Sequence, residues 1–214
     1  MLNLVPSLLI SRIITLIVAL TVHEFSHAFV ADRFGDNTAR AAGRLTLNPL
    51  KHLDVIGSLM LLLAGFGWAK PVPVNPYALR RHSASAMMWV SLAGPASNFL
   101  LALISGLMLR FKFYPLVNLG SVLPTPVEFL YTFMVINLLL MIFNLIPLAP
   151  LDGEKIAQFL MPSKWVNAFE SIQRFGPLIL MLLVFVAPRF GIDILGWLMN
   201  PIFSGWQKII LGVS

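Results

Sequence analysis

Three long apolar runs limit what this chain can fold into. Leu8–Ala31, Met87–Leu109 and Val127–Leu148 each reach the roughly 20 residues that a helix needs to cross the hydrocarbon core of a bilayer. The composition agrees. Soluble domains carry about 25% charged residues, whereas 11% of these 214 residues are charged and 58% are hydrophobic. The expected fold is an all-α polytopic membrane protein, with one or two further membrane helices at the C-terminus. Leu178–Ala187 is short and stops at Pro188, so it spans only if its helix begins near Trp165 or Phe169. Ile192–Leu211 is long enough but is interrupted by Asn200-Pro201, and it either crosses or lies on the surface. The chain reads as a single membrane-embedded domain over 1–214, with a core at about 4–156 and C-terminal helices at about 165–211.

The N-terminus has no basic n-region and no small-residue cleavage site after a short apolar core, so it is expected to stay on the protein. The absence of cysteine excludes disulfides and thiolate metal sites. Basic residues outnumber acidic ones, 15 to 9. They cluster in loops beside the apolar runs, which makes them reporters of membrane topology rather than a nucleic-acid surface.

Polar chemistry interrupts the first run. His23-Glu24-Phe25-Ser26-His27 is an HExxH sequence. On a helix, positions i and i+4 share a face, so both imidazoles can reach one metal ion. Catalytic zinc takes such a pair plus one more protein ligand and keeps a position open for water. The ion lowers the pKa of that water to about 7, and Glu24, beside the first ligand, can accept its proton. Two histidines hydrogen-bonded between helices would be the plain alternative. That alternative leaves Glu24 unexplained, and an ionisable group at membrane depth, costing about 3 kcal/mol on insertion scales, points to function.

Asp152 is the leading candidate for the third ligand. It lies in Phe143–Lys155, FNLIPLAPLDGEK, at the end of the third run. Pro147 and Pro150 break the helix there, and irregular backbone at membrane depth survives only where protein buries it or a cavity receives it. An interfacial, solvated Asp is the competing reading, and Asp54 is the alternative ligand. His52 and His82 read as solvated loop residues.

The ligands must meet at one depth, and this tests the topology. Val55–Phe66 is about 12 residues, the length of a re-entrant piece rather than a span. If it crossed, Asp152 would emerge on the face opposite His27. If it dips in and returns, the two share a face. The second arrangement also gathers ten basic residues, seven from Arg33 to Arg81 and three from Lys155 to Arg174, on that face. Arg110, Lys112 and Arg189 lie on the other, joined by Lys208 unless the last segment crosses. The positive-inside rule then makes the site's face cytoplasmic and the N-terminus external.

Several polar residues carry two readings. Asn98, within Ser91–Leu103, is either an interhelical hydrogen bond or a donor to the reacting oxygen; it is carried forward as a catalytic candidate. Gly94-Pro95 permits a kink and close helix contact. Asn144 is either a second such donor or a partner for carbonyls freed by Pro147. Asn137 reads as packing. Gly65–Pro76, punctuated by Gly and Pro, suits either an edge strand able to pair with an unwound substrate or an interfacial loop anchored by Trp68.

Together these pieces resemble the site-2 protease family of intramembrane zinc metalloproteases, in its compact bacterial form without PDZ or CBS domains. The resemblance rests on His23–Ala28, Ala42–Gly57, Gly67–Pro76, Ala93–Asn98 and Asn144–Ile156, in the family's order. It implies one Zn2+ per chain on His23, His27 and Asp152, Glu24 as general base, and Asn98 at the family's polar position. It also implies a three-helix core with a re-entrant or β-like element before the second helix. Glu154 departs from the family, which often has a second glycine there. The implied activity is peptide-bond hydrolysis in or near transmembrane segments of substrate proteins within the lipid bilayer, at the plasma membrane. No nucleic-acid partner is expected, and oligomeric state is not legible. A non-catalytic metal-binding protein or transporter, or a pseudoprotease, would share parts of this pattern.

Overall fold

A computed structural model describes residues 5–54, 56–57, 60, 69–117 and 122–212. Three of its helices are long and apolar enough to cross a membrane: α1 (Pro6–Arg33), α4 (Ala86–Arg110) and α5 (Pro126–Asn144). Between the first two lie the short helices α2 (Thr38–Ala41) and α3 (Pro76–His82), with a 3-10 turn at Pro49–Lys51. After α5 come α6 (Asp152–Leu160), α7 (Ser163–Gln173), α8 (Gly176–Met181, continued through wider and tighter turns to Phe190) and α9 (Ile194–Leu211).

The residues buried on α1 include Ser7, Ser11, Thr15, Ala19, His23, His27 and Ala31, one every fourth position. On α4 they include Ala86, Val90, Gly94, Asn98, Ala102 and Gly106, again every fourth. Residues four apart stand over one another on a helix, and small side chains let backbones approach where lipid is as apolar as the protein core. Large apolar residues such as Leu8, Ile14, Val18 and Phe29 point outward instead. Each step of four turns the stripe by about 40°, so two neighbours share it, and α1 packs against both α4 and α5.

The helices alternate in direction. His27 meets Val90 near the start of α4, and Asn98 further along α4 reaches back to Ala19. α4 is therefore antiparallel to α1. Asn98 also meets Asn137, while Met134, one turn earlier on α5, stands at Gly106 further along α4, so α5 runs back again. Because α1 ends and α4 begins at the same end of the bundle, the chain from Arg33 to Ala86 leaves and returns there. Nearly all of the expected re-entrant element Val55–Phe66 lies outside the described residues, as does the start of the Gly65–Pro76 stretch, including Trp68. The described remainder, Lys70–Asn75, is extended, and Ala69 forms an isolated antiparallel bridge with Leu53.

The C-terminal segments differ in detail from expectation. The helix containing Leu178–Ala187 is one arm of a bent pair, Ser163–Gln173 and Gly176–Phe190, meeting at 62°. The pair is long and apolar enough to count as a fourth, broken span. Asn200-Pro201 does not interrupt α9, which runs continuously through it. α9 docks on α4 and α5: Ile210 is buried beside Met134 and Ala102, Gln207 donates to the Tyr131 hydroxyl at 2.9 Å, and Arg110 donates to the Ile209 carbonyl at 3.2 Å. Lys208 thus sits at the Arg110 end, away from the histidines.

A Cβ added at Gly106 would stand 2.1 Å from Ile210 Cγ2 and 2.9 Å from Met134 Sδ. Gly106→Val should therefore push α9 off α4 at an overpacking cost of about 1–3 kcal/mol. Thermal unfolding of the purified protein in detergent reads this directly, and an unchanged midpoint would contradict the docking described.

Candidate metal centre

His23 and His27 lie on the packed stripe of α1, so folding turns both rings toward α4 rather than lipid. His27 Nδ1 is 2.7 Å from the Val90 carbonyl oxygen. A carbonyl only accepts, so this nitrogen carries the ring proton. His23 Nδ1 is 2.6 Å from Asn98 Oδ1. The Asn98 carboxamide is oriented by its other end, where Nδ2 donates to Asn137 Oδ1 at 2.9 Å and approaches the Ala19 carbonyl at 3.4 Å. Oδ1 therefore faces His23, and His23 Nδ1 is the donor. In the neutral rings both protons thus lie on the outer sides, and each Nε2 turns its lone pair into the site.

These two lone pairs face each other at 3.0 Å. Asp152 completes the group, with Oδ2 3.2 Å from His23 Nε2 and Oδ1 3.4 Å from His27 Nε2. Asp152 Oδ2 is buried and has no hydrogen-bond partner. With both rings neutral, three electron-rich groups converge, and one cation among them would satisfy all three. Tetrahedral zinc with bonds of about 2.0–2.1 Å sets its ligand atoms roughly 3.3 Å apart, close to all three separations. Two imidazoles and one carboxylate form an N/O donor set suited to zinc, so the residues present fit the ion.

Asp152 arrives from the break after α5. Leu145–Leu151 folds back so tightly that a Cβ on Gly153 would stand 2.4 Å from the carbonyl oxygens of Leu145 and Ile146. The proline-bounded loop is braced from α7: Gln173 accepts from Ala149 N at 2.7 Å and donates to the Pro147 carbonyl at 3.2 Å. Asp54, the alternative ligand, instead accepts from Gly57 N at 2.8 Å and is not part of the cluster. Glu154 is buried and pairs with Lys155 at 3.0 Å.

Glu24 stands on the next face of α1, and its Oε2 accepts from Val72 N at 3.1 Å. Asn98, fully buried, lies behind His23 and turns its amide protons away from the cluster. Asn144 donates to the Leu140 carbonyl of its own helix at 2.9 Å. Two histidine and asparagine readings need correction. His52 is fully buried, not solvated, with Nε2 donating to the Thr46 carbonyl at 2.7 Å. The loop from Arg44 to Leu53 folds over it instead of lying open. Asn137 is not mere packing: fully buried, it fixes the Asn98 carboxamide while donating to the Phe133 carbonyl at 2.9 Å. His82 is exposed, as expected.

A buried pair of histidines and a carboxylate inside a helical membrane core defines a membrane-embedded metalloprotease class, and comparison with known proteins agrees. The model of peptidase family M50 matches residues 121–185. The chain is 42% identical over 188 residues to a Bacillus subtilis protein provisionally named zinc metalloprotease YwhC, covering 87% of this chain and 83% of that one. It is 31% identical over 204 residues to Rip2 of Mycobacterium tuberculosis, also provisionally named a zinc metalloprotease, covering 92% and 73%. No solved structure gives a significant match. The chain belongs to peptidase family M50, the site-2 proteases, and is an intramembrane zinc metalloprotease acting on membrane proteins in a lipid environment.

The space at the centre depends on Gly94. A Cβ there would stand 2.5 Å from His27 Nε2 and 2.6 Å from His23 Nε2. Gly94→Ala should therefore cost the protein its zinc, measured as metal per chain after purification. Asn98→Leu, which strips the acceptor from His23, should weaken zinc binding about 10–100-fold in a chelator competition. Full zinc content in Gly94→Ala would refute this placement of the ion.

Proposed function

We propose that His23, His27 and Asp152 hold the zinc ion, that Glu24 is the general base, and that Asn98 acts by positioning rather than by touching substrate. One observation carries this reading: both imidazoles have an acceptor at Nδ1, so that their Nε2 atoms and an unpartnered carboxylate oxygen meet beside Glu24. Zinc, when bound, supplies the Lewis acidity that activates water and polarises the scissile carbonyl.

The chain's own residues supply the rest. Val72 N–H occupies Glu24 Oε2, which leaves Oε1 to take a proton from the attacking water. The same oxygen then delivers that proton to the leaving amide nitrogen. Asn98 and the Val90 carbonyl hold the proton of each neutral ring on Nδ1, so that Nε2 is the nitrogen turned to the metal position. A helical substrate hides its carbonyls in hydrogen bonds, so the reactive segment must be locally unwound. The substrates are transmembrane segments of other proteins.

The site is toward the cytoplasmic side of the plasma membrane. The excess of Lys and Arg at the Arg33 and Lys155 end supports this orientation. The chain folds as one domain, because the C-terminal helices brace the Asp152 loop and cover the α4–α5 face.

Removing the carboxylate chemistry while keeping its shape tests the mechanism. Glu24→Gln should retain zinc and lose at least about 100-fold in turnover, and it should trap substrate peptides for identification. Normal cleavage by the purified variant would overturn the assignment. Because the chain has no cysteine, sidedness can be read from single introduced thiols in whole cells. Arg81→Cys should resist a membrane-impermeant maleimide and Phe113→Cys should react; the reverse pattern would invert the topology.

A further inference from the structure

Lys70–Asn75 passes Glu24 as a strap that is neither helix nor strand, and its backbone donors are few. Pro71 and Pro73 have no N–H, and the amides at Lys70, Val72 and Asn75 are each committed. Lys70 N donates to the His52 carbonyl at 2.8 Å, Val72 N to Glu24 Oε2 at 3.1 Å and Asn75 N to Asp36 Oδ2 at 2.6 Å. The strap is therefore fastened to Glu24 at its middle.

Both ends are held by buried charges. Arg44 is 5% exposed, and one terminal nitrogen, Nη2, donates to the Lys70 carbonyl at 2.6 Å and the Pro71 carbonyl at 2.8 Å. It pairs with no carboxylate among the described residues. Asp36 is 1% exposed and accepts from Thr38 N at 3.0 Å as well as from Asn75. A buried guanidinium is costly unless its protons are used. Here the two on Nη2 are spent on the two carbonyls that immediately precede the amide facing Glu24.

We propose that Arg44, with Asp36 at the far end, is a positioning residue for the general base: it fixes the strap so that the Val72 amide holds the Glu24 carboxylate in its working rotamer. This rests on the assignment of Glu24 above. The strap's rigidity then enters the chemical step rather than only the binding of substrate. A misplacement of order 1 Å in such a group costs about 100-fold in rate.

The test uses the full chain in detergent and a fluorogenic membrane-segment peptide that the wild type cleaves. Arg44→Met should keep its zinc, lose kcat by about 10–100-fold with KM altered far less, and speed hydrogen exchange at the Val72 amide. Arg44→Lys should recover part of kcat. Val72→Pro deletes one donor from a stretch already extended by prolines. It should reproduce the loss of kcat with zinc retained, whereas Val72→Ala, which keeps the amide, should turn over faster than Val72→Pro. Wild-type kcat in Arg44→Met or Val72→Pro, or a defect confined to KM, overturns the proposal. Normal cleavage by Glu24→Gln would instead remove the general-base assignment beneath it.

Discussion

Two ring nitrogens turned toward each other at 3.0 Å are the constraint on which this molecule depends. In water such a pair would rotate apart or take up a proton. Here both rings are clamped from behind, one by a backbone carbonyl and one by a carboxamide. The clamps come from α4, so the tautomers that prepare the site are properties of the helix interface rather than of the HExxH turn. A hydrogen bond at the far nitrogen that orients a ligand imidazole is the usual outer-shell device of metal sites. In lipid its value is greater, because no water competes for the same atoms.

That interface exists because α1 and α4 bring small side chains together in four-residue steps. Gly94 is the point where the two stripes nearly touch, and the ligand nitrogens occupy the space its missing side chain leaves. The lipid-facing surface takes the bulky residues. With little hydrophobic force to draw helices together in a bilayer, close packing and buried amide hydrogen bonds do the joining. The Asn98–Asn137 contact ties α4 to α5 at the same level as the histidines. Fold and site are thus held by shared groups.

Much of this was legible in sequence. The spans follow from run length, the histidine pair from i, i+4 spacing, and the shared depth of His27 and Asp152 from counting segments and charges. What escaped detection depends on partners distant in the chain. Ser7, Ser11 and Thr15 look like weak spots in an apolar run until the i+4 stripe is seen whole. Gln173 gives no local signal that it serves carbonyl and amide groups 24–26 residues earlier. His52 reads as a solvated loop residue because its partner, the Thr46 carbonyl, is a backbone group that no side-chain pattern marks. Asn137 looked like packing because a single asparagine in a span does not reveal its partner. The one available signal was that Asn98 and Asn137 are both amides in spans expected to be adjacent.

The division between membrane and interface explains where each part of the chemistry lies. The proposed zinc ligands are held by packing: two come from within a span, and the third opens α6 after a loop braced by Gln173 of α7. A general base must exchange protons with water and substrate, and Glu24, proposed for that role, lies on the partly exposed side of the same helix. Its support comes not from another span but from Lys70–Asn75, outside the helical core. Prolines suit that support. They hold the strap extended without a sheet, and they reduce its donors so that the Val72 amide has no strand neighbour among the described residues and is left for the carboxylate. In the proposed assignment the helix bundle sets the metal ligands, while a separately anchored strap sets the base.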